Sequence, residues 1–287
     1  MDTGGLGNIL WFLVLASIFV PMLQRRLLEM RRLGFLRAWE RKHGHRLIAL
    51  IHRQETMSLF GFPLLRYIDI QDSEEVLRAL RLTPDDVPID IVLHTPGGLA
   101  LAAEQIAHAI CRRRAKVTVY VPHYAMSGGT LIALAADAIV MDPNAVLGSL
   151  DPQLGQHPAA SIVRAVEWKI EHKQEVDDET LILADVARKA MRQLHDCVKG
   201  ILADGMGVER AAEIADLFTR GEWTHDNPLN VEELRHLGLP IDTDMPREIY
   251  DYMRLFPQPA AGRPSVQYIP LPYRRPAPPP PAPKPRG

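Results

Sequence analysis

Only two cysteines occur in 287 residues, Cys111 and Cys197, and neither belongs to a CxxC pair or to any other metal-like spacing. That excludes a disulfide framework and a cysteine-ligated metal centre. Cys111, inside an apolar helix-like run, reads as a buried free thiol. An excess of one charge is also missing: 33 Lys and Arg against 35 Asp and Glu leave a net charge of −2. Nothing global therefore argues for a nucleic-acid or polyanionic partner. No GxGxxG fingerprint is present, which removes the sequence basis for a dinucleotide site. What the chain does have is apolar residues, 47% of the total, enough for one substantial core with appendages.

From Leu6 to Leu23 there is no charged residue, LGNILWFLVLASIFVPML. Eighteen helical residues reach about 27 Å, just enough for a bilayer. A cleavable signal peptide would want a basic start and a small-x-small cleavage site, and the run has neither. Residues 1–26 are therefore expected to form an uncleaved transmembrane anchor. Arg25, Arg26, Arg31, Arg32, Arg37, Arg41 and Lys42 all follow the run, and no basic residue precedes it. The positive-inside rule places the rest of the chain in the cytoplasm, as a single-pass membrane protein. Residues 27–45 read as a basic amphipathic helix, either lying on the membrane through Leu27, Leu28, Met30, Leu33, Leu36 and Trp39 or serving as a solvated linker.

At the other end, twelve of the 24 prolines fall between Pro257 and Pro285. Residues 257–287 are expected to be an extended or disordered proline-rich tail. Between the ends, residues 46–250 alternate short apolar runs with helical patterns. Strands are expected at Leu47–His52, Tyr67–Ile70, Ile89–His94, Lys116–Val121 and Ala138–Met141. Helices are expected at Asp72–Leu82 (capped by Asp72 or Ser73), Leu99–Arg114, Thr130–Ala136, Asp177–Leu202 and Val208–Ala215. Such alternation predicts an α/β fold with a parallel sheet covered on both faces, and ligands gather at the carboxyl ends of its strands.

Two turns lie at such ends. One is Ile91-Val-Leu-His-Thr-Pro-Gly97-Gly98. The other is Val117-Thr-Val-Tyr-Val-Pro-His-Tyr-Ala-Met-Ser127-Gly128-Gly129-Thr130. Ser127 at a helix start has two readings: an N-cap for that helix, or a nucleophile whose oxyanion is held by nearby N–H groups and the positive helix end. Gly97-Gly98 alone could be a turn needing positive φ. A strand–Pro-Gly-Gly–helix followed by a strand–Ser-Gly-Gly–helix is more specific.

HTPGG, AMSGGT and ALAADAIVMDPNAVLGSLDPQLG resemble the serine dehydrogenase proteinase family, a branch of the Clp-protease/crotonase superfamily related to signal peptide peptidase proteins. The resemblance covers roughly residues 45–245 and takes in Gly221-Glu-Trp-Thr-His225-Asp226 and Val231-Glu-Glu-Leu-Arg-His-Leu-Gly238-Leu. It implies a Clp/crotonase-like spiral of ββα units, a nucleophile at Ser127, oxyanion or substrate contacts from Gly97, Gly98 and Gly128, and a homo-oligomer. It carries over no dehydrogenase activity.

A nucleophile needs a base. The Clp-type histidine would fall at Leu150, and His157 is seven residues away. By resemblance to signal peptide peptidases the base would be a lysine, at Lys173 or Lys169, lowered in pKa by an apolar pocket that Val163, Val166, Trp168 and Ile170 could supply. Each lysine is otherwise a solvated surface charge. His157, His225 and Lys189 remain as alternatives. His94 and His123 flank the two turns, with a structural role as the default. His225-Asp226 reads as a loop hydrogen-bond motif. The combined expectation is a membrane-anchored serine endopeptidase acting on membrane-associated proteins or peptides, without cofactor or metal. A non-catalytic membrane scaffold or a crotonase-like acyl-thioester enzyme is the alternative.

Overall fold

The computed structural model describes residues 3–53 and 67–256, and within the first helix only the backbone of residues 3–10, 12–14, 16 and 18. In chain order, α1 (Thr3–His43) leads to β1 (Arg46–Ile51), α2 (Ile70–Arg81), β2 (Ile89–His94), α3 (Ala100–Cys111) and β3 (Val117–Val121). Then come β4 (Tyr124–Ala125), α4 (Gly128–Leu134), β5 (Ala138–Met141), β6 (Val146–Gly148), β7 (Gln153–Leu154) and β8 (His157–Pro158). The chain continues with α5 (Ala159–Glu171), α6 (Asp178–Met206), α7 (Val208–Thr219), β9 (Pro228–Asn230), α8 (Val231–His236), β10 (Ile241–Asp242) and α9 (Arg247–Met253).

Five strands form one sheet in the order β1-β2-β3-β5-β10, and every neighbouring pair is parallel. A smaller sheet, β4-β6-β9, has one parallel and one antiparallel pair. This is a ClpP-like α/β fold with a mostly parallel sheet. The period-2 alternation of side chains explains the layering. Ile89, Ile91 and Leu93 of β2 join the core built with α2, α3, α4, α6 and α7, while Val92 joins a second cluster with Trp39, Ile249 and Tyr252. All six residues of β2 are buried, as expected for a strand covered on both sides.

The second cluster shows where the end of the N-terminal helix goes. Residues 3–43 form one helix, and its C-terminal turns pack on the sheet. Trp39 is 3% exposed and donates its indole N–H to the buried Asp90 at 2.7 Å, and Phe35 stacks on Tyr252. An indole that fills a sheet face and satisfies a buried carboxylate gains more there than on a lipid surface. Further back, Trp11, Leu15, Phe19, Val20, Met22 and Leu23 are exposed. Among the described residues, no helix is long and apolar enough to cross a membrane. Most side chains of the Leu6–Leu23 run lie outside the described residues, as does the whole 257–287 segment.

Smaller corrections have local causes. The cap of α2 is Asp69, and Asp72 is its capping-box partner three residues on, so the helix begins two residues earlier than expected. Helix α2 thereby absorbs Ile70, and the expected strand at Tyr67–Ile70 shrinks to a single bridge between Ile68 and Gly98. Cys111 is exposed at the end of α3. Helix α5 was not anticipated. It and α6 bury Ile162, Val166, Ala184 and Ala187 against each other, while Trp168 and Ile170 remain exposed.

Candidate active site

The two glycine turns are held together by backbone. Thr95 and Ala125 pair as a parallel bridge, with Met126 N–H donating to the Thr95 carbonyl at 3.0 Å. The Thr95 hydroxyl accepts the Gly97 N–H at 3.1 Å and also contacts His52 Nδ1 at 2.9 Å, while His52 Nε2 lies 3.1 Å from Asp72. On the other side, Thr130 in α4 binds the Ala125 carbonyl and accepts the Gly148 N–H at 2.9 Å. Each turn is therefore fixed by a buried threonine.

Ser127 occupies the N-cap position of α4 but makes no cap hydrogen bond. Its backbone sits at φ 50, ψ −120, outside the regions a serine ordinarily adopts. Such strain costs on the order of 1–3 kcal/mol and persists where the surroundings enforce it. The enforcing contacts are visible around it. A Cβ on Gly97 (φ 106) would lie 2.7 Å from Ser127 Cβ; one on Gly98 would lie 2.2 Å from the Ile68 carbonyl oxygen. At Gly128 a Cβ would meet Ala103 Cβ at 2.8 Å and come within 3.8 Å of the Gly98 nitrogen. Only hydrogen fits at these places, so the two turns approach backbone to backbone. Neither the Gly98 nor the Gly128 N–H has an acceptor among the described residues.

Ser127, Gly98 and Gly128 line one cavity of about 530 Å³, walled largely by apolar side chains such as Leu99, Leu131, Leu154 and Leu194. Its titratable lining groups are Tyr67, Glu104, Asp151 and His225. His225 Nδ1 lies 2.8 Å from Asp151 Oδ1. Asp151 is buried, and Ser149 and Gln153 also bind its carboxylate. The hydrogen bond that the His225 ring donates to Asp151 raises the His225 pKa above its ordinary value, against the opposing effect of partial burial.

The sequence pattern of the ClpP-like SDH-type serine proteinases matches residues 2–281. The chain belongs to this family. The class of enzyme is accordingly a serine peptidase. Relatives of the SDH-type proteinase include two proteins of Methanocaldococcus jannaschii described as uncharacterized. MJ1495 is 52% identical over 93% of this chain and 91% of its own length. MJ0137 is 50% identical over 95% of each. A solved structure of the 1510-N membrane-bound stomatin-specific protease is 22% identical, covers 65% of this chain and 79% of that one, and gives a TM-score of 0.44.

The lysines of this chain stand elsewhere. Neither Lys169 nor Lys173 lines the cavity. Lys169 lies in the last turn of α5, and Lys173 is exposed with φ 52 in the turn that follows. Trp168 and Ile170, expected to shield a neutral lysine, face solvent. Lys189 pairs with Asp185 on the exposed face of α6, and His157 is exposed on β8. The acidic partner of His225 is not its neighbour Asp226 but Asp151, 74 positions earlier. No sequence spacing signals that pairing; the only hint was that both residues fall in stretches resembling the family.

Proposed function

We propose that this chain is a membrane-anchored serine endopeptidase in which Ser127 is the nucleophile and His225, oriented by Asp151, is the base. The observation that carries the reading is the shared cavity. It joins a strained serine without a cap bond, two backbone N–H groups without acceptors, and a histidine whose other nitrogen is held by a buried carboxylate. Ser127 Oγ attacks the peptide carbonyl and His225 Nε2 takes its proton, while the Gly98 and Gly128 N–H groups receive the oxyanion. The imidazolium returns the proton to the leaving amine. Water, deprotonated by the same imidazole, then releases the acyl group from Ser127. The lysine alternative, Lys173 or Lys169, has no such support from the cavity.

The paired N–H groups alone would also suit an acyl thioester, but the His225–Asp151 pair favours hydrolysis. Anchoring rests on the uncharged Leu6–Leu23 run, the exposed apolar side chains from Trp11 to Leu23, and the arginines that follow them. It would hold the domain at the cytoplasmic face, where substrates are membrane-associated proteins or peptides. Exposed Trp168, Ile170 and Ile182 on α5 and α6 support self-association into a homo-oligomer.

A fluorophosphonate probe tests the reading. Labelling of the solubilised wild type, abolished by Ser127→Ala and strongly slowed by His225→Ala, is the expected result. Labelling that survives His225→Ala and disappears with Lys169→Ala or Lys173→Ala would transfer the base to a lysine. No labelling of folded wild type across neutral and alkaline pH would refute the hydrolase.

A further inference from the structure

Behind the two turns lies a second cavity of about 520 Å³ that shares no lining residue with the Ser127 cavity. It opens between the carboxyl ends of β2 and β3 and helix α9. Arg53, Arg247 and Arg254 line it, with Asp251 as the one acidic group, which leaves a surplus of two positive charges. Arg247 is exposed and has no partner among the described residues, and Arg254 pairs with Asp251 at 3.4 Å. Arg53 donates from one terminal nitrogen to the Met253 carbonyl at 3.1 Å, but its buried Nε has no acceptor among the described residues.

His94 also lines this cavity. It is 2% exposed, and neither ring nitrogen has a hydrogen-bond partner among the described residues. Burial, followed by the charge of Arg53, pushes it down to about 4, so the ring is neutral and offers one donor and one acceptor. Leaving such a group unsatisfied is destabilising, and an orphaned guanidinium N–H is more so because it is charged. Both residues line the one basic cavity, and a ligand bound there is the nearest outside source of partners for them. The Tyr124 ring packs on His94 at 4.3 Å and forms part of the wall, giving an organic ligand an aromatic surface. Tyr250, also in the wall, is committed through its hydroxyl to Asp142.

We infer that this cavity binds a phosphomonoester. The phosphate dianion matches the surplus of two charges, and guanidinium groups bind it through paired N–H donors. A carboxylate would leave one charge unmatched. The volume lies in the range of small-molecule sites, so the phosphate carries an organic group that reaches His94 and Tyr124. The phosphate comes from a soluble ester or from the headgroup of a phosphatidate lipid. His94 precedes Gly98 by four residues and Tyr124 precedes Ser127 by three, so the ligand braces the turns that carry the oxyanion donors.

Isothermal titration of the full chain in detergent tests this without reference to peptidase activity. The probes are glycerol 3-phosphate, dihexanoyl phosphatidic acid and inorganic phosphate. Saturable one-site binding of either ester, at least about tenfold tighter than inorganic phosphate, is expected. Arg247→Glu and His94→Asn should each weaken it about tenfold or more, with circular dichroism confirming the fold. Binding of both esters alike assigns the headgroup chemistry; preference for phosphatidic acid assigns the lipid source. Absence of saturable binding by folded protein would overturn the proposal. Equal binding of inorganic phosphate, or ester binding indifferent to Arg247→Glu and Arg254→Glu, would overturn it too.

Discussion

His225 Nδ1 meets Asp151 Oδ1 at 2.8 Å, joining the loop after α7 to the segment that follows β6. Among the described residues Asp151 makes no hydrogen bond to the Ser127 turn; under the proposed mechanism it would act by fixing which imidazole nitrogen is left for the cavity. Asp151→Asn should keep the fold yet slow probe labelling by about 10²-fold or more. Because the carboxylate raises the His225 pKa, the acid limb of the wild-type profile should lie above the ordinary histidine value and move down in Asp151→Asn. A limb that stays in place would assign the titration to another group.

The same pair makes a prediction about stability. A histidine raised by its partner stabilises the fold fully below its unfolded pKa, near 6.5, and loses that contribution as pH rises through the higher folded value. Partial exposure of His225 keeps the effect modest. Denaturant titrations of wild type and His225→Gln should differ more at pH 5.5 than at pH 9, and a gap that widened with pH would contradict the assignment.

Ser127→Gly should separate chemistry from stability. Glycine relieves the φ 50 strain, so the variant is expected to lose all labelling while melting higher, by about 1 kcal/mol or more. A lower melting temperature would mean that the serine side chain holds the turn through contacts rather than being imposed on it.

Close approach at Gly128 can be tested by compensation. Gly128→Ala places a methyl 2.8 Å from Ala103 Cβ and should push α4 away from α3, cutting labelling sharply. Adding Ala103→Gly should recover a substantial part of both labelling and stability, with a coupling energy of about 1 kcal/mol or more in the double-mutant cycle. Independent effects of the two changes would disprove the steric account.

Trp39→Phe keeps much of the apolar contact between α1 and the sheet but removes the donor to Asp90. With only His45, at 3.1 Å, still facing that buried carboxylate, a loss of about 1–3 kcal/mol is expected in urea unfolding. An unchanged midpoint would show that His45 satisfies Asp90 alone.

The central strands and the two glycine turns were legible because their signals are local. Ile89–His94 is a continuous apolar run, and Pro96-Gly97-Gly98 and Ser127-Gly128-Gly129 declare backbone approach by residue type alone. Asp69 was passed over as a cap because Asp72 and Ser73 stood closer to the apolar period, and only the reciprocal bonds of the capping box decide between them. Helix α5 lacks a start signal, because Pro158 at its N-cap offers no side-chain cap, and Trp168 and Ile170 are apolar but exposed. The His225–Asp151 pair was the least legible. Its 74-residue separation is closed only when Ser149 ties the second loop's backbone to the first.

Helix α1 runs 41 residues without a break from Thr3 to His43, and Trp39 near its end is locked into the sheet. At 1.5 Å per residue this is a strut about 60 Å long. If the far half lies in a bilayer, as proposed above, the catalytic mouth would be carried at a set height above the lipid, with Pro21 the one interior proline at which the strut could bend. Peptide bonds outside that narrow zone would then be spared whatever their sequence, so that reach, as much as recognition, would select what is cut.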